Sequence, residues 1–161
     1  MKYLFQLGHQ PQISTAEIAA VFALKHLSIT TQKQNNTKTL ERRGDFLILE
    51  TNRELDCEGL TNTLGGTVKI AKKIDVDIID YLNKAQPTGK IVFSLPNKKA
   101  AMKIKKDLRQ AGRSARYVEP GNTATIFYNN LIKSGGDLTV VKDETFATQA
   151  IQPFEDFSQR D

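Results

Sequence analysis

Between Lys98 and Arg116 the chain gathers eight basic residues, Lys98, Lys99, Lys103, Lys105, Lys106, Arg109, Arg113 and Arg116, against the single acid Asp107. That segment carries +7 while the whole chain carries +5, so everything else sums to −2. Lysine attracts anions as a point charge; arginine grips phosphate through paired N–H bonds and stacks on bases. Such a segment suits a polyanion, because each phosphate it neutralises frees condensed counterions and so drives association. The ordinary alternative is a solvated helix face, where lysines are common. Just beyond, the stretch 119–125 (EPGNTAT) places Asn122 or Thr123 at the head of a helix. Unpaired N–H groups there form an anion site beside a basic strand, or simply a capped turn. Tyr128 follows on that helix as a packing residue or, less commonly, a base-stacking platform.

Candidates for catalysis and metal binding fail one by one. His9 and His26 are the only histidines and stand in no metal-ligand spacing. The single cysteine, Cys57, excludes an internal disulfide, argues against a cysteine zinc site, and reads as a small core residue. Gly65-Gly66-Thr67 lacks the Gly-Lys-Ser/Thr of a phosphate loop and reads as a turn. Asp75, Asp77 and Asp80 read as a solvated acidic edge. The residues therefore suggest no catalytic group, metal ligand or cofactor site. No apolar run reaches the length of a bilayer span, and Met1–Gln6 reads as a strand and not as a signal sequence. No membrane partner and a cytoplasmic setting are expected.

The elements around the basic segment follow from local signals. Its 161 residues allow one ordinary domain or two small ones. Tyr3–Leu7 reads as a strand. Ser14 and Glu17 have capping-box spacing, with Ile13 and Ile18 as a hydrophobic staple, so a helix follows and fades near Leu27. Thr39–Arg42 and Phe46–Glu50 suggest a hairpin. Leu55–Leu64 suggests a helix closed by a left-handed cap at Gly65-Gly66. Val68, Ile70, Ile74 and Val76 alternate as a strand does. The order β-α-β-β-α-β is the ferredoxin-like one. A second unit starts near Asp77: a short helix at Ile78–Leu82, a strand at Ile91–Leu95, and a helix at Lys98–Ala111 closed by Gly112. A strand at Ser114–Val118 follows, then a helix at Thr123–Lys133 closed by Gly135-Gly136, and a final hairpin of Leu138–Val141 with Phe146–Ile151. On the basic helix, Ala101, Ile104, Leu108 and Ala111 share one narrow face, leaving a broad cationic arc.

The opening YLFQLGHQPQISTAE (3–17) resembles the start of THUMP-containing tRNA guanine-N2 methyltransferases of the archaeal type and their bacterial relatives. LGGTVKIA (64–71) resembles their Leu-Gly-Gly-Thr-hydrophobic-Lys-Ile stretch. The order of basic helix, SAR strand (114–116) and helix ending in Gly-Gly is similar to the THUMP half. FATQ (146–149) and FSQRD (157–161) resemble the strand and linker that lead into the methyltransferase domain. The resemblance implies an α+β chain: a ferredoxin-like domain at 1–76, a THUMP RNA-binding domain at 77–152, and a linker remnant at 153–161. It implies tRNA as partner, held at the acceptor region by backbone and shape. Phosphate contacts would come from Lys98, Lys99, Lys103, Lys105, Lys106, Arg109, Arg113 and Arg116, with Asn122 and Thr123 offering helix-end N–H groups. S-adenosylmethionine is expected only in a separate catalytic domain, whose Pro-Pro motif is missing here: Pro11, Pro87, Pro96, Pro120 and Pro153 are never adjacent. The chain is thus expected to be no enzyme itself, and either part of a longer protein or a stand-alone relative with a methyltransferase partner. The rival expectations are a protein-interaction module that recruits a separate catalytic subunit and a small enzyme of unrecognised type.

Overall fold

The computed structural model describes residues 1–7, 16–18, 20, 29–32, 46–51, 53–65, 67–121, 125–126 and 129–152. The chain is mixed α+β. Strands β1 (Lys2–Leu7), β2 (Ile29–Gln32), β3 (Phe46–Thr51), β4 (Thr67–Lys73), β7 (Leu138–Val141) and β8 (Glu144–Ile151) form one antiparallel sheet in the order β2-β3-β1-β4-β8-β7. Helices α1 (Cys57–Thr63), α2 (Ile78–Ala85), α3 (Lys98–Gln110) and α4 (Leu131–Ser134) accompany it, with Ala16–Ile18 and Ala20 also helical. A short parallel pair, β5 (Ile91–Phe93) and β6 (Ala115–Tyr117), completes the described elements.

Strand β1 sits in the middle because its residues are apolar on both faces. Tyr3, Phe5 and Leu7 pack with Leu47, Leu49, Ile70, Ile18 and the α1 residues Cys57 and Leu60. Leu4, on the opposite face, packs with Phe46, Ile48, Ala71, Val141 and Phe146. This two-sided burial follows from the period-2 alternation of a strand. The Tyr3 hydroxyl accepts the Leu55 N–H at 2.9 Å, which fixes the entry to α1. The Asp56 carboxylate caps that helix through the Gly59 N–H at 3.1 Å. The left-handed cap expected at Gly65-Gly66 is corrected at Gly65, which has no positive φ; Leu64 ends α1 in an extended conformation with its side chain 0% exposed. Gly66 lies outside the described residues.

The sheet runs across position 76. β4 pairs with β8 from Lys69↔Ile151 to Lys73↔Phe146, so the C-terminal hairpin completes the sheet begun by β1. Its turn is Lys142-Asp143, both left-handed (φ 51° and 65°), so β8 begins at Glu144, two residues before the expected Phe146. The parallel pair is attached to the same sheet. Ser94 N–H donates to the Gly136 carbonyl at 2.7 Å, and Leu138 N–H donates to the Ser94 carbonyl at 3.0 Å. Leu82, Ile91, Phe93, Ala101, Leu108, Ala115, Leu138 and Ala147 form the core beneath.

Three further expectations are adjusted. Helix α2 continues past the expected Leu82 to Ala85; Asp75, Asp77 and Asp80 are exposed, as a solvated edge requires, and Asp77 also caps the helix through the Ile79 N–H at 3.0 Å. The strand expected to reach Val76 stops at Lys73, and Val76 is 57% exposed. The helix expected over Thr123–Lys133 is interrupted: Asn130 is left-handed (φ 56°) and α4 starts only at Leu131. Asn accepts that conformation more readily than most residues. The hairpin partner expected at Thr39–Arg42, together with His9, Ser14 and His26, lies outside the described residues. Among the described residues no helix is long and apolar enough to cross a membrane.

Candidate nucleic-acid interface

Helix α3 links β5 to β6 in a β-α-β unit, and this connection decides which of its sides is free. Asn97 caps it by accepting the Ala100 N–H at 3.1 Å. Gly112, at φ 86°, closes it: Gly112 N–H donates to the Arg109 carbonyl at 3.0 Å and Arg113 N–H to the Leu108 carbonyl at 2.8 Å. This is the Schellman pattern, which satisfies carbonyls the helix end leaves open. Ala101 and Leu108 are fully buried and Ile104 packs partly against the core. Ala111, expected on the same face, is the C-cap and is exposed.

The opposite side is cationic. Lys98, Lys99, Lys103, Lys106 and Arg109 are exposed and Lys105 is half-buried. Lys98 lies 3.8 Å from Glu119, with both side chains at least 70% exposed, a pair worth little in water. Among the described residues no ion pair involves Lys99, Lys103, Lys105, Lys106 or Arg109. The first turn of α3 holds Lys98 and Lys99 and no acid. Cations at the positive end of a helix dipole are locally unfavourable by about 0.3–1 kcal/mol each. A local rule broken in this way is expected where a surface serves binding.

The two other arginines of the segment are engaged within the chain. Arg113 donates to Asn83 Oδ1 at 3.0 Å and to the carbonyls of Gln86 at 2.7 Å and Gly89 at 2.9 Å. It clips the α2–β5 connection onto the end of α3, so its guanidinium fork is turned toward the fold. Its acceptors are neutral, however, so its charge stays uncompensated. Arg116 on β6 is exposed and donates to Asn129 Oδ1 at 3.0 Å. Asn122, Thr123 and Tyr128 lie outside the described residues.

Two residues that sequence reasoning missed join this surface. A concavity of about 400 Å³ is lined by Lys90, Lys105, Arg109, Gly112, Arg113, Ser114 and Ala115. Lys90 and Ser114 meet there because Ile91 N–H donates to the Ser114 carbonyl at 3.0 Å, the first bond of the parallel ladder. The available signal was the strand–helix–strand order itself, which makes the starts of β5 and β6 neighbours.

Elsewhere among the described residues the side chains offer little chemistry. Cys57 is buried, and that burial, with the Asp56 charge second, pushes its thiol up to about 12, so it is neutral and a poor nucleophile. Among the described residues no group of three or more His, Cys, Asp or Glu could hold a metal ion. Thr67 is fully buried at the start of β4, within the sheet and not in an open loop. No protein-family model matches the chain, and no curated protein matches it.

Proposed function

We propose that the chain is an RNA-binding module that holds tRNA by backbone and shape, as the recognition part of an S-adenosylmethionine-dependent RNA methyltransferase. One observation carries the binding half of this reading. Helix α3 turns Lys99, Lys103, Lys106 and Arg109 outward with no acidic partner among the described residues. A solvated face of ordinary design interleaves acids with its lysines, because i,i+4 pairs stabilise a helix. Here Asp107 is the helix's single acid.

The fold supports the family half. The order β2-β3-β1-β4, antiparallel throughout, is the order of a ferredoxin-like sheet, and the basic β5-α3-β6 unit is where the resemblance puts the THUMP domain. In this reading methyl transfer and its cofactor belong to a separate domain or subunit, and this chain contributes grip and orientation. The recruiting-module alternative calls for a contiguous apolar face. Among the described residues the exposed large apolar side chains are Met1, Val76, Met102 and Val140, which belong to four different segments of the chain. Isolated exposures of this kind are normal on a monomer's surface.

Competition tests the reading. Labelled tRNA bound to the chain should be displaced by unlabelled tRNA at much lower concentration than by duplex DNA of equal phosphate content. Equal displacement would reduce the module to a general polyanion binder.

A further inference from the structure

The exposed crest of α3 fits a phosphodiester backbone, but the concavity at its C-terminal end has a different character. Four cations, Lys90, Lys105, Arg109 and Arg113, line it together with Ser114 and Ala115, and neither Asp nor Glu is among its lining residues. No ion pair among the described residues involves any of the four. Arg113 is held in place by three bonds to neutral oxygens, so it supplies a fixed positive charge at no further cost in side-chain order. Lys90 and Arg109 are exposed and free to close on a ligand.

The backbone adds donors. Ile91 N–H bonds to the Ser114 carbonyl and Val118 N–H to the Phe93 carbonyl. In a parallel ladder with the register Ile91↔Ala115, that pattern turns the backbone of Arg116 toward β5 and the N–H of Ala115 away from it. No other strand covers that edge of β6 among the described residues. The Ser114 side chain is exposed beside it. The carbonyls of the helix end, which would repel an anion, are occupied in part by Gly112 and Arg113 N–H groups.

We infer that this concavity is a subsite for a phosphate monoester, the terminal phosphate of a nucleic-acid strand. The inference rests on the RNA-binding reading and names a part of the ligand that reading leaves open. A bridging diester carries one charge, whereas a terminal monoester carries about −1.5 to −2 near neutral pH and presents three strong acceptor oxygens. Four cations lining one concavity with no acid among its lining residues discriminate in favour of the dianion. The concavity, of about 400 Å³, has room for a phosphate group. Lys90 and Arg109 close on the oxygens, Lys105 and Arg113 set the field, and Ser114 with the Ala115 N–H offers neutral donors.

The test compares one short single-stranded RNA in three forms: 5′-phosphorylated, 3′-phosphorylated, and with hydroxyls at both ends. Binding is read by fluorescence anisotropy at one salt concentration. One phosphorylated form should bind about tenfold or more tighter than the hydroxyl form, the scale of a charge-assisted hydrogen bond. The form that gains identifies the terminus. Lys90→Ala should abolish the difference, while Lys103→Ala, on the crest, should weaken all three forms alike and preserve it. Equal affinity of the three forms for the wild-type chain overturns the subsite and leaves RNA binding standing. If no RNA binds even at low salt, the RNA reading fails, and titration with inorganic pyrophosphate followed by amide NMR decides the subsite alone. Shifts at Ser114 and Ala115 that Lys90→Ala removes support it; their absence overturns it.

Discussion

The ammonium of Lys69 on β4 meets the Asp137 carboxylate beside β7 at 3.1 Å, with only 12% and 7% of the two side chains exposed. The residues are 68 apart in sequence, and β8 lies between their strands. Thr148 on β8 donates its hydroxyl to the same carboxylate oxygen, and its N–H bonds to the Asp137 carbonyl at 2.9 Å. Three strands are thus tied at one buried polar point. Removing one partner strands the other charge in a nearly dry site, which costs about 3–5 kcal/mol. Lys69→Met and Asp137→Leu should each lower stability by that order in urea unfolding. The double variant, which leaves no orphan charge, should recover much of the deficit.

Arg113 and Lys103 belong to one basic segment but do different work. Arg113→Ala removes three hydrogen bonds from the α2–β5 connection and should cost about 2–3 kcal/mol in stability. Arg113→Lys should restore little, because an ammonium cannot reproduce the guanidinium fork. Lys103→Ala should leave the melting temperature within about a degree, since surface changes mostly stay near zero. Thermal melts of the three variants separate the clip from the exposed cation.

Cys57 gives the chain a pH signature. Its thiol is raised from 9.0 to about 12, first by burial and then by Asp56. Tyr3 and Tyr81 are raised from 10.0, each chiefly by burial. A raised folded-state value means that the native state holds its proton more tightly than the unfolded chain. That contribution is complete below about pH 9 and is lost as pH climbs toward 12. The urea midpoint should therefore fall between about pH 8.5 and about pH 11, and Cys57→Ala should flatten part of the slope. The same burial predicts that iodoacetamide labels Cys57 in urea but not in the folded chain at about pH 8.

The β7–β8 turn holds Lys142 and Asp143 at φ 51° and 65°. A two-residue hairpin turn with both residues left-handed is the type that favours Asn-Gly. Lys142 there carries about 1–2 kcal/mol of strain and Asp143 less, since Asp tolerates the left-handed region better; in glycine the relief is offset by a more flexible unfolded chain. Lys142→Asn with Asp143→Gly should raise stability by about 1 kcal/mol, or roughly 2–4 °C in Tm for a domain of this size.

These elements differ in how legible they are from sequence. Helix α3 is readable because its signals are local: the 3.6-residue spacing of Ala101, Ile104 and Leu108, and Gly112 at the exit. The hairpin turn is harder, because Lys142-Asp143 carries no glycine and only the backbone reveals the left-handed pair. Asn130 is similar: its neighbours continue a helical pattern, and the interruption comes from a left-handed residue that the pattern does not require. The pairing of β4 with β8 is non-local, so nothing within either strand announces it. The site follows the same division. The cations of α3 stand together in sequence, but Lys90 joins them only through the parallel register Ile91↔Ala115. Arg113 looks like its neighbours in composition, and only the acceptors Asn83, Gln86 and Gly89 reveal that it is a clip.

If α3 is the element that meets RNA, its charge must set the salt dependence of binding. The decisive experiment is binding to unfractionated tRNA over a salt series, for the wild-type chain and for Lys103/Lys106/Arg109→Ala. Affinity should fall linearly in log–log form with salt, and the slope should be shallower by about two to three in the variant, roughly one for each phosphate that is no longer neutralised. Salt-dependent binding with an unchanged slope would move the interface away from α3. No binding by the wild-type chain at low salt would contradict RNA recognition by this chain altogether.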